Sequence, residues 1–303
     1  MPAVSQLKII IPGICGPLAE VESLRDNTVV NTWLGKISRA HQQPSEKSFT
    51  DVVKNVFHFE LDADFPSATL SLFNSELFDP SKHYMHADPV HLRADMDQAV
   101  LTSSYDLEIT DSEAEVLCSL LNQHFEQDGL RFFYTDKDNW FVASEHKMNM
   151  STTPLVDATG RNINFLLPSG DDSPHWRKIL TEAQMLLHSH DVNQSREAAG
   201  RLSINSLWLH GCGDLKSSSS SGEYRLCSDD GLMSGLAAYL ACEYIKIPDL
   251  VDAFQEYLLS SGEDSSMILH LADLEHLTNY TDTGMWLNQL QHVLENWVYP
   301  LLA

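Results

Sequence analysis

Short apolar runs rich in β-branched residues alternate with longer amphipathic segments along much of this chain. Leu7 to Ile11 is one such run, and Pro12-Gly13 ends it, which predicts a buried strand followed by a turn. Strands alternating with helices are typical of a mainly parallel sheet with helices on both faces, so we expect an α/β fold. The other elements of this pattern are strands at 204–209, near 223–227 and near 266–271, and helices near 231–243, near 249–260 and at the C-terminus.

The middle of the chain contains a well-marked helix start. Thr110 is followed three residues later by Glu113, a capping-box pattern in which each side chain satisfies an otherwise unpaired backbone N–H, so a helix is predicted to begin there. The remaining predicted elements are helices near 18–25, 29–40 and 48–56, a helix from Ser173, and strands at Leu130 to Tyr134 and Trp140 to Ala143.

The net charge restricts the partners that the chain can bind. Its 303 residues include 19 Lys and Arg against 43 Asp and Glu, which gives a formal net charge of −24. A surface this negative repels phosphate backbones and anionic lipids, so we expect neither nucleic acid nor membranes as partners. An anionic metabolite would need a locally basic pocket or a metal.

Cysteine usage and hydropathy indicate the compartment. The 5 cysteines are scattered and form no CxxC pair, which fits reduced thiols and argues against a zinc ribbon. No stretch approaches the roughly 20 apolar residues of a membrane-spanning helix, and the apolar run near the N-terminus is too short for a signal peptide. We therefore expect a cytoplasmic protein.

Polar residues that could bind a ligand concentrate around a proline, Pro89, which favours a loop or a strand edge. Imidazoles, a guanidinium and carboxylates close together in sequence suit an anion site or acid–base chemistry. A structural network of ion pairs and hydrogen bonds is an equal alternative. The residues are His86, Asp88, His91, Arg93 and Asp95.

A second candidate set lies before and after the strand predicted at 204–209. Polar side chains there could meet a ligand at the carboxyl end of the strand, and glycines could let backbone N–H groups approach an anion. The alternative is a tight turn, in which Cys212 is a buried, inert thiol. The residues of this set are Asn193, Arg196, Asn205, Gly211 and Gly213.

A third set, His270, Asp273 and His276, could hold a metal. The alternative, which we favour, is a strand end followed by a polar loop. His188 and His190 also suggest a ligand cluster, but histidines at the end of a helix interact favourably with its dipole and need no metal.

Several of these motifs resemble the RpfE-type regulatory proteins, which are often grouped with phosphoglycerate mutases. The matching segments are Asp88 to Asp95, Glu182 to Arg196, and Ile204 to Gly213, which resembles an NS-W-WGGG motif with His210 and Cys212 as departures. From Thr110 to Gly213 the order of features is also similar to archaeal-type cofactor-independent phosphoglycerate mutases.

The mutase resemblance implies an alkaline-phosphatase-like core with an inserted α+β segment. We expect a discontinuous α/β core of residues 1–105 and 190–303 and an inserted segment of residues 106–189. In the mutases two divalent metals activate a Ser or Thr that accepts the phosphoryl group, and the first strand delivers an aspartate. Here the corresponding turn, Ile11 to Gly16, contains no carboxylate, and the candidate nucleophiles Ser48, Ser67 and Ser71 lie in no nucleophile motif.

Three functions remain open. The one we favour is a non-catalytic or regulatory relative that binds a small anion and has no resident cofactor. The alternative is a phosphoglycerate mutase or phosphatase with a rearranged site, which would use Mn²⁺ or Zn²⁺ at His270, Asp273 and His276 together with Arg93 and Arg196. The third is an acidic protein whose surface, including the loop Ser217 to Ser221, binds a basic protein partner.

Overall fold

The computed structural model describes residues 6–16, 27–41, 48–59, 64–95, 98–216, 224–260, 266–279 and 283–302. The strands are β1 (Gln6–Ile10), β2 (His83–Asp95), β3 (Gln98–Thr102), β4 (Leu130–Asp136), β5 (Asn139–Ser144), β6 (Ser206–His210), β7 (Tyr224–Cys227), β8 (Glu243–Ile245) and β9 (Ser266–His270). The helices are α1 (Thr28–Ile37), α2 (Phe49–Val56), α3 (Ser67–Leu72), α4 (Asp111–Phe125), α5 (Leu155–Ala158), α6 (Ser173–Ser189), α7 (Asp191–Ala198), α8 (Gly231–Tyr239), α9 (Val251–Ser260), α10 (Thr283–Val293) and α11 (Tyr299–Leu302).

The chain divides into two compact units. The terminal unit comprises Met1–Val52 and Ser217–Ala303, and the inserted unit comprises Val53–Lys216. The boundaries expected from the sequence, at 105/106 and 189/190, differ from these. The reason is that β2 and β6 pair with each other and β2 pairs with β5, which places 83–95 and 206–210 in the same sheet as the hairpin of β4 and β5.

The terminal unit is built on a four-stranded sheet in the order β1-β9-β7-β8, and every pair in it is parallel. Helix α10 packs its apolar side chains inward, because Trp286, Leu290 and Val293 recur at helical spacing and all are buried. The predicted α/β class, with its parallel sheet and strands at 7–11, 223–227 and 266–271, is confirmed here.

The inserted unit contains a five-stranded antiparallel sheet in the order β3-β2-β5-β4, with β6 also paired to β2. Its main core lies between this sheet and helices α4 and α6, with Leu117, Leu121, Trp176 and Ala183 among the buried side chains. An antiparallel sheet with helices fits the inserted α+β segment that the sequence predicted. The parallel pairs of the fold are thus found in the terminal unit.

The segment around Pro89 is longer and more regular than the sequence indicated. It forms part of β2, a strand of 13 residues, rather than a loop. Pro89 is accommodated because the partners of β2 change along its length: β5 pairs with 83–86, β6 with 86–90 and β3 with 91–95. Beyond the stretch paired with β2, the N–H of Trp140 donates to the carboxylate of Asp88 at 3.0 Å instead.

Helix α4 begins with the predicted capping box. The Thr110 N–H donates to Glu113 Oε2 at 2.9 Å, and the Glu113 N–H donates to Thr110 Oγ1 at 3.3 Å. Further along α4, the Asn122 amide binds both backbone groups of Phe132 in β4: it accepts from the N–H at 2.7 Å and donates to the carbonyl at 2.8 Å.

Two predicted segments, the helix near 18–25 and the serine loop Ser217 to Ser221, lie outside the described residues. Within the described ranges, no helix combines the length and the apolar character that crossing a lipid bilayer requires.

Candidate functional site

Strand pairing in the inserted unit brings three metal-ligand side chains together. The register of β2 and β6 places His86 opposite His210. Asp88 is two residues along β2 from His86, so both side chains point to the same face of the sheet. Ligand atoms of His86, Asp88 and His210 lie within 4.8 Å of one another, and among the described residues they are the one group of three or more His, Cys, Asp or Glu that could hold a metal. We call these three residues the histidine–aspartate cluster.

The contacts of the cluster are short and buried. His210 Nε2 lies 2.8 Å from Asp88 Oδ2, while Asp88 Oδ1 accepts the Trp140 N–H. The His86 and His210 rings are stacked, with centroids 4.4 Å apart and planes 11° apart. His86 Nδ1 is buried and has no hydrogen-bond partner. Both oxygens of Asp88 are therefore bound, whereas one imidazole nitrogen is left unsatisfied.

Burial sets the ionisation of the cluster. It lowers the pKa of His86 to about 3, helped by the neighbouring His210 and opposed by Asp88 and by a hydrogen bond to the Ser67 backbone. Burial also lowers the pKa of His210 to about 4, against the attraction of Asp64. The same desolvation raises the pKa of Asp88 to about 6, against His86 and the Trp140 N–H. Both imidazoles are therefore neutral at pH 7, and neutral imidazole is the form that binds metals.

The turn after β6 closes the cluster from one side. Gly211 has a φ of +71°, and a Cβ there would stand 1.9 Å from Ser67 Oγ and 3.2 Å from His86 Cδ2. At Gly213 a Cβ would stand 2.0 Å from the Asp64 carbonyl oxygen. Glycine is required at both positions by close approach of neighbouring chain segments.

A second polar network lies beside this turn. Thr152 Oγ1 donates to Asp64 Oδ2 and accepts the Gly211 N–H at 2.9 Å. The same Asp64 oxygen accepts the Cys212 N–H at 3.2 Å. Burial, with nearby Asp64, raises the pKa of the Cys212 thiol, which keeps it protonated. The thiol is thus a poor nucleophile, as the simpler interpretation of the sequence expected.

The two asparagines of the second predicted set make structural hydrogen bonds. Asn193 accepts the Ile204 N–H at 2.7 Å and donates to the Ile204 carbonyl at 2.8 Å. Asn205 does the same for Leu92, at 2.7 Å and 3.0 Å. These amides are occupied by backbone groups, and Asn193 is buried.

Arg196 is fully buried, and each of the three nitrogens of its guanidinium has a partner. It donates to the carbonyls of Leu202, at 2.7 Å, and Leu107, and forms an ion pair of 2.9 Å with Glu113. The side chain ties α7 to the start of α4, and its donors are used within the protein.

The other members of the β2 set lie apart from the cluster. His91 Nδ1 lies 2.8 Å from the Ser203 carbonyl oxygen, and Arg93 is exposed. The side chain of Asp95 lies outside the described part of the structure. Of the five residues predicted there, the structure brings His86 and Asp88 together with His210.

The predicted metal set of the terminal unit does not form a ligand group. His270 is fully buried at the end of β9, with Nδ1 2.9 Å from Ser228 Oγ and its ring stacked on Phe49 at 4.5 Å. Asp273 and His276 are exposed, and the three residues do not come within ligand distance of one another. His270 is the last residue of β9, and the chain continues into a turn at 273–275.

The turn after β1 is packed against a tryptophan. Trp286 Nε1 donates to the Gly13 carbonyl at 2.9 Å, and a Cβ at Gly16 would stand 2.4 Å from the Trp286 indole. A Cβ at Gly13 would stand 2.5 Å from the Leu274 carbonyl oxygen. Among the described residues of this unit, the donors that the mutase resemblance implies for two divalent metals are incomplete: the turn has no carboxylate, and of His270, Asp273 and His276 only His270 is buried.

Two of the three candidate nucleophiles, Ser48 and Ser67, have structural contacts. Ser48 Oγ lies 2.9 Å from Thr50 Oγ1 and accepts the Asp51 N–H at 3.2 Å, as a helix-capping serine does. Ser67 is buried against the Gly211 turn. His210, by contrast, is a candidate site residue that sequence reasoning missed, because it was treated as a departure from a family motif. The spacing of His86 and Asp88, two residues apart in a strand, was the available signal that both would share a face.

The similarity to a known protein family lies in the inserted unit. Residues 78–193 match the family described as 2,3-bisphosphoglycerate-independent phosphoglycerate mutase, and this stretch lies entirely within the inserted unit. The mutase of Methanosarcina mazei is 28% identical over 107 residues, which cover 35% of this chain and 27% of the relative. Mutase 2 of Methanothermobacter thermautotrophicus is 29% identical over 147 residues, which cover 46% of this chain and 37% of the relative.

The fold of nearly the whole chain is found in a solved structure. The PH0037 protein of Pyrococcus horikoshii superposes with a TM-score of 0.52 and 11% identity, covering 98% of this chain and 79% of that one. The sequence matches to the two mutases span 27% and 37% of their lengths, so they concern a part of each enzyme. Together, the matches show a chain with an α/β fold whose segment 78–193 is similar to cofactor-independent phosphoglycerate mutases.

Proposed function

We propose that this chain is a phosphoglycerate-mutase-like protein that does not carry out two-metal phosphoryl transfer, and that it acts as a regulatory relative of the RpfE type. The observation that carries the proposal is the turn after β1. In the resemblance drawn from the sequence, this turn delivers the first metal-binding carboxylate, whereas here it is Ile11 to Gly16 and packs against Trp286.

The packing leaves no space for a side chain at either glycine of that turn. Gly13 has a φ of +80°, and a side chain there would strike the Leu274 carbonyl oxygen and Thr278 Cγ2, at 2.5 and 2.7 Å. At Gly16 the obstacle is the indole of Trp286, which is fully buried. A single substitution to aspartate at either glycine would displace neighbouring atoms, which supports the proposal that this turn does not supply a metal-binding carboxylate.

Of the two arginines that could bind the predicted small anion, one is occupied by contacts within the protein. Arg196 is unavailable, because its donors bind Glu113 and backbone carbonyls. Arg93 keeps an exposed side chain on β2 and is the residue that we would test for anion binding. A regulatory role also fits a protein partner, and a net charge of −24 favours one with a basic surface.

One observation favours the alternative, a phosphoryl-transfer enzyme with a reduced site. His270 Nε2 is buried without a hydrogen-bond partner, and the attraction of Asp230 and Asp273 acts on this imidazole, although burial still lowers its pKa. A free nitrogen at the carboxyl end of a parallel strand is placed where α/β proteins bind ligands. The alternative therefore predicts that His270 and Asp230 are essential for turnover.

The test is a direct turnover assay. The chain is incubated with 3-phosphoglycerate, and separately with p-nitrophenyl phosphate, in the presence of Mn²⁺, Mg²⁺, Co²⁺ or Zn²⁺, beside the M. mazei mutase as a positive control. We expect no mutase or phosphatase activity above the protein-free blank. Metal-dependent turnover that His270→Ala and Asp230→Ala both abolish would refute the proposal and establish the alternative.

A thermal-shift titration separates binding from chemistry. A ligand that binds the native state raises the apparent stability by mass action. The alternative requires a shift from metal that 3-phosphoglycerate enlarges, whereas the proposal expects 3-phosphoglycerate to add nothing to the effect of metal alone. His124→Gln, on the exposed side of α4, is the histidine control for His270→Ala.

A further inference from the structure

We propose that His86, Asp88 and His210 form a binding site for one divalent transition-metal ion of the Zn²⁺ class in the inserted unit. This inference does not rest on the proposed function. The metals of a mutase-type centre would belong to the terminal unit, whereas all three residues of the cluster lie in Val53–Lys216.

The spacing of the donors fits a small metal ion. Zinc binds imidazole nitrogen at about 2.0–2.1 Å and carboxylate oxygen at about 2.0–2.2 Å, so two donors of a tetrahedral site are about 3.4 Å apart. The donors of the cluster lie within 4.8 Å of one another, and Asp88 Oδ2 and His210 Nε2 are 2.8 Å apart. To reach that spacing, the widest pair of donors must close by up to about 1.4 Å, and Asp88 Oδ2 and His210 Nε2 must open by about 0.6 Å.

The unsatisfied nitrogen of His86 is the second, independent observation. His86 is 8% exposed, and its Nδ1 has no hydrogen-bond partner, although leaving a buried polar atom in this state is unfavourable. The ring already has a hydrogen bond with the Ser67 backbone, so Nδ1 is the nitrogen with a free lone pair. Metal-binding histidines commonly donate their other ring N–H to a backbone carbonyl, which is the arrangement at Ser67.

The surroundings orient the other two ligands. Asp88 Oδ1 is held by the Trp140 N–H, which leaves Oδ2 facing His210. On metal binding, the proton of His210 moves from Nε2 to Nδ1, so the imidazole stays neutral while Nε2 coordinates. Two imidazoles and one carboxylate select borderline ions such as Zn²⁺, Co²⁺ or Ni²⁺ over Mg²⁺ and Ca²⁺, which prefer oxygen ligands. Three protein ligands leave one tetrahedral position for water.

The experiment is a calorimetric titration of the tag-free full chain, stripped with EDTA and dialysed, with ZnCl₂. We expect one equivalent to bind. His86→Gln, Asp88→Asn and His210→Gln should each weaken binding by more than about 100-fold, the upper limit for loss of an outer-shell partner. The controls His124→Gln and His270→Gln should bind as the unsubstituted chain does, and circular dichroism confirms that each variant is folded.

Three results would overturn the site: no Zn²⁺ binding by the full chain at millimolar metal, unchanged binding by the cluster variants, or loss of binding in His270→Gln. X-ray absorption of the zinc-loaded, unsubstituted chain covers the case in which a cluster variant fails to fold. It should show two imidazoles with oxygen donors. Sulfur in the first coordination shell would place the metal at a cysteine and refute the assignment.

Discussion

The close approach at Gly211 can be tested by adding one methyl group. In Gly211→Ala the new Cβ would stand 1.9 Å from Ser67 Oγ and 3.2 Å from His86 Cδ2, at a φ of +71°. Gly200→Ala is a matched control, because Gly200 has a φ of +72° and nothing lies within 4 Å of the added Cβ. The two substitutions share the left-handed backbone and the same gain in the unfolded chain, and they differ in the contact.

The magnitudes follow from these two terms. Alanine in the left-handed backbone conformation lowers the free energy of unfolding by about 1–2 kcal/mol, and this loss applies to both variants. Overpacking a closed site costs about 1–3 kcal/mol more, and this term applies to Gly211→Ala alone. Relief by movement of α3 is limited, because the Ala68 N–H donates to the Gly211 carbonyl at 3.2 Å. We expect Gly211→Ala to lower the free energy of unfolding by about 2–5 kcal/mol and Gly200→Ala by about 1–2 kcal/mol.

Urea denaturation followed by tryptophan fluorescence measures both values, and hydrogen exchange of peptides from β6 assigns the transition to the inserted unit. The midpoint should fall for Gly211→Ala with an unchanged slope. If the two variants differ by less than about 0.5 kcal/mol, the resolution expected for independent surface sites, the tight packing of Ser67, His86 and Gly211 is refuted.

Three further predictions follow from buried groups. Arg196→Ala should lower the free energy of unfolding by about 3–5 kcal/mol, because Glu113 and two carbonyls lose a buried donor. Arg201→Ala removes a half-exposed partner of the same carboxylate and should lower it by about 1 kcal/mol or less. Urea denaturation measures both variants, and equal losses would contradict the prediction. Trp286→Phe should lower the free energy of unfolding by about 1–3 kcal/mol, because the Gly13 carbonyl loses its hydrogen-bond donor. The loss should exceed that of Trp297→Phe in the same assay, and the reverse order would argue against that hydrogen bond. Stability should fall as the pH drops from about 6.5 towards 4, because burial lowers the pKa of His86 to about 3 and that of His210 to about 4, so the unfolded chain binds more protons in this window. Asp88, with its pKa raised to about 6, offsets part of this loss, and His86→Gln should flatten the pH dependence of the urea midpoint; an unchanged slope in that variant would count against a buried neutral His86.

Elements with local signals were predictable from the sequence. The capping box of Thr110 and Glu113 defines the start of α4 within four residues of chain, and the helix is found where expected. The apolar run ended by Pro12-Gly13 is likewise β1. These signals depend on residues that are neighbours in sequence, so a single sequence is sufficient to recognise them.

The candidate site depends on pairing between distant strands, and no local pattern contains it. His86 and His210 meet because β2 and β6 pair antiparallel in one particular register. The same limitation explains Arg196 and Asn193, which looked available for a ligand in the sequence. Their partners, Leu107, Glu113 and Ile204, become neighbours only after the inserted unit has folded.

The clasp of Asn122 on Phe132 bears on how the protein avoids joining other copies of itself. Strand β4 is the last in its sheet order, so its outer backbone groups would be available to a strand from another molecule. At Phe132 both groups are already occupied by one amide side chain from α4, which imitates the partner that a further strand would provide. The asparagine thus occupies, at Phe132, the backbone groups that edge-to-edge pairing with another copy would need.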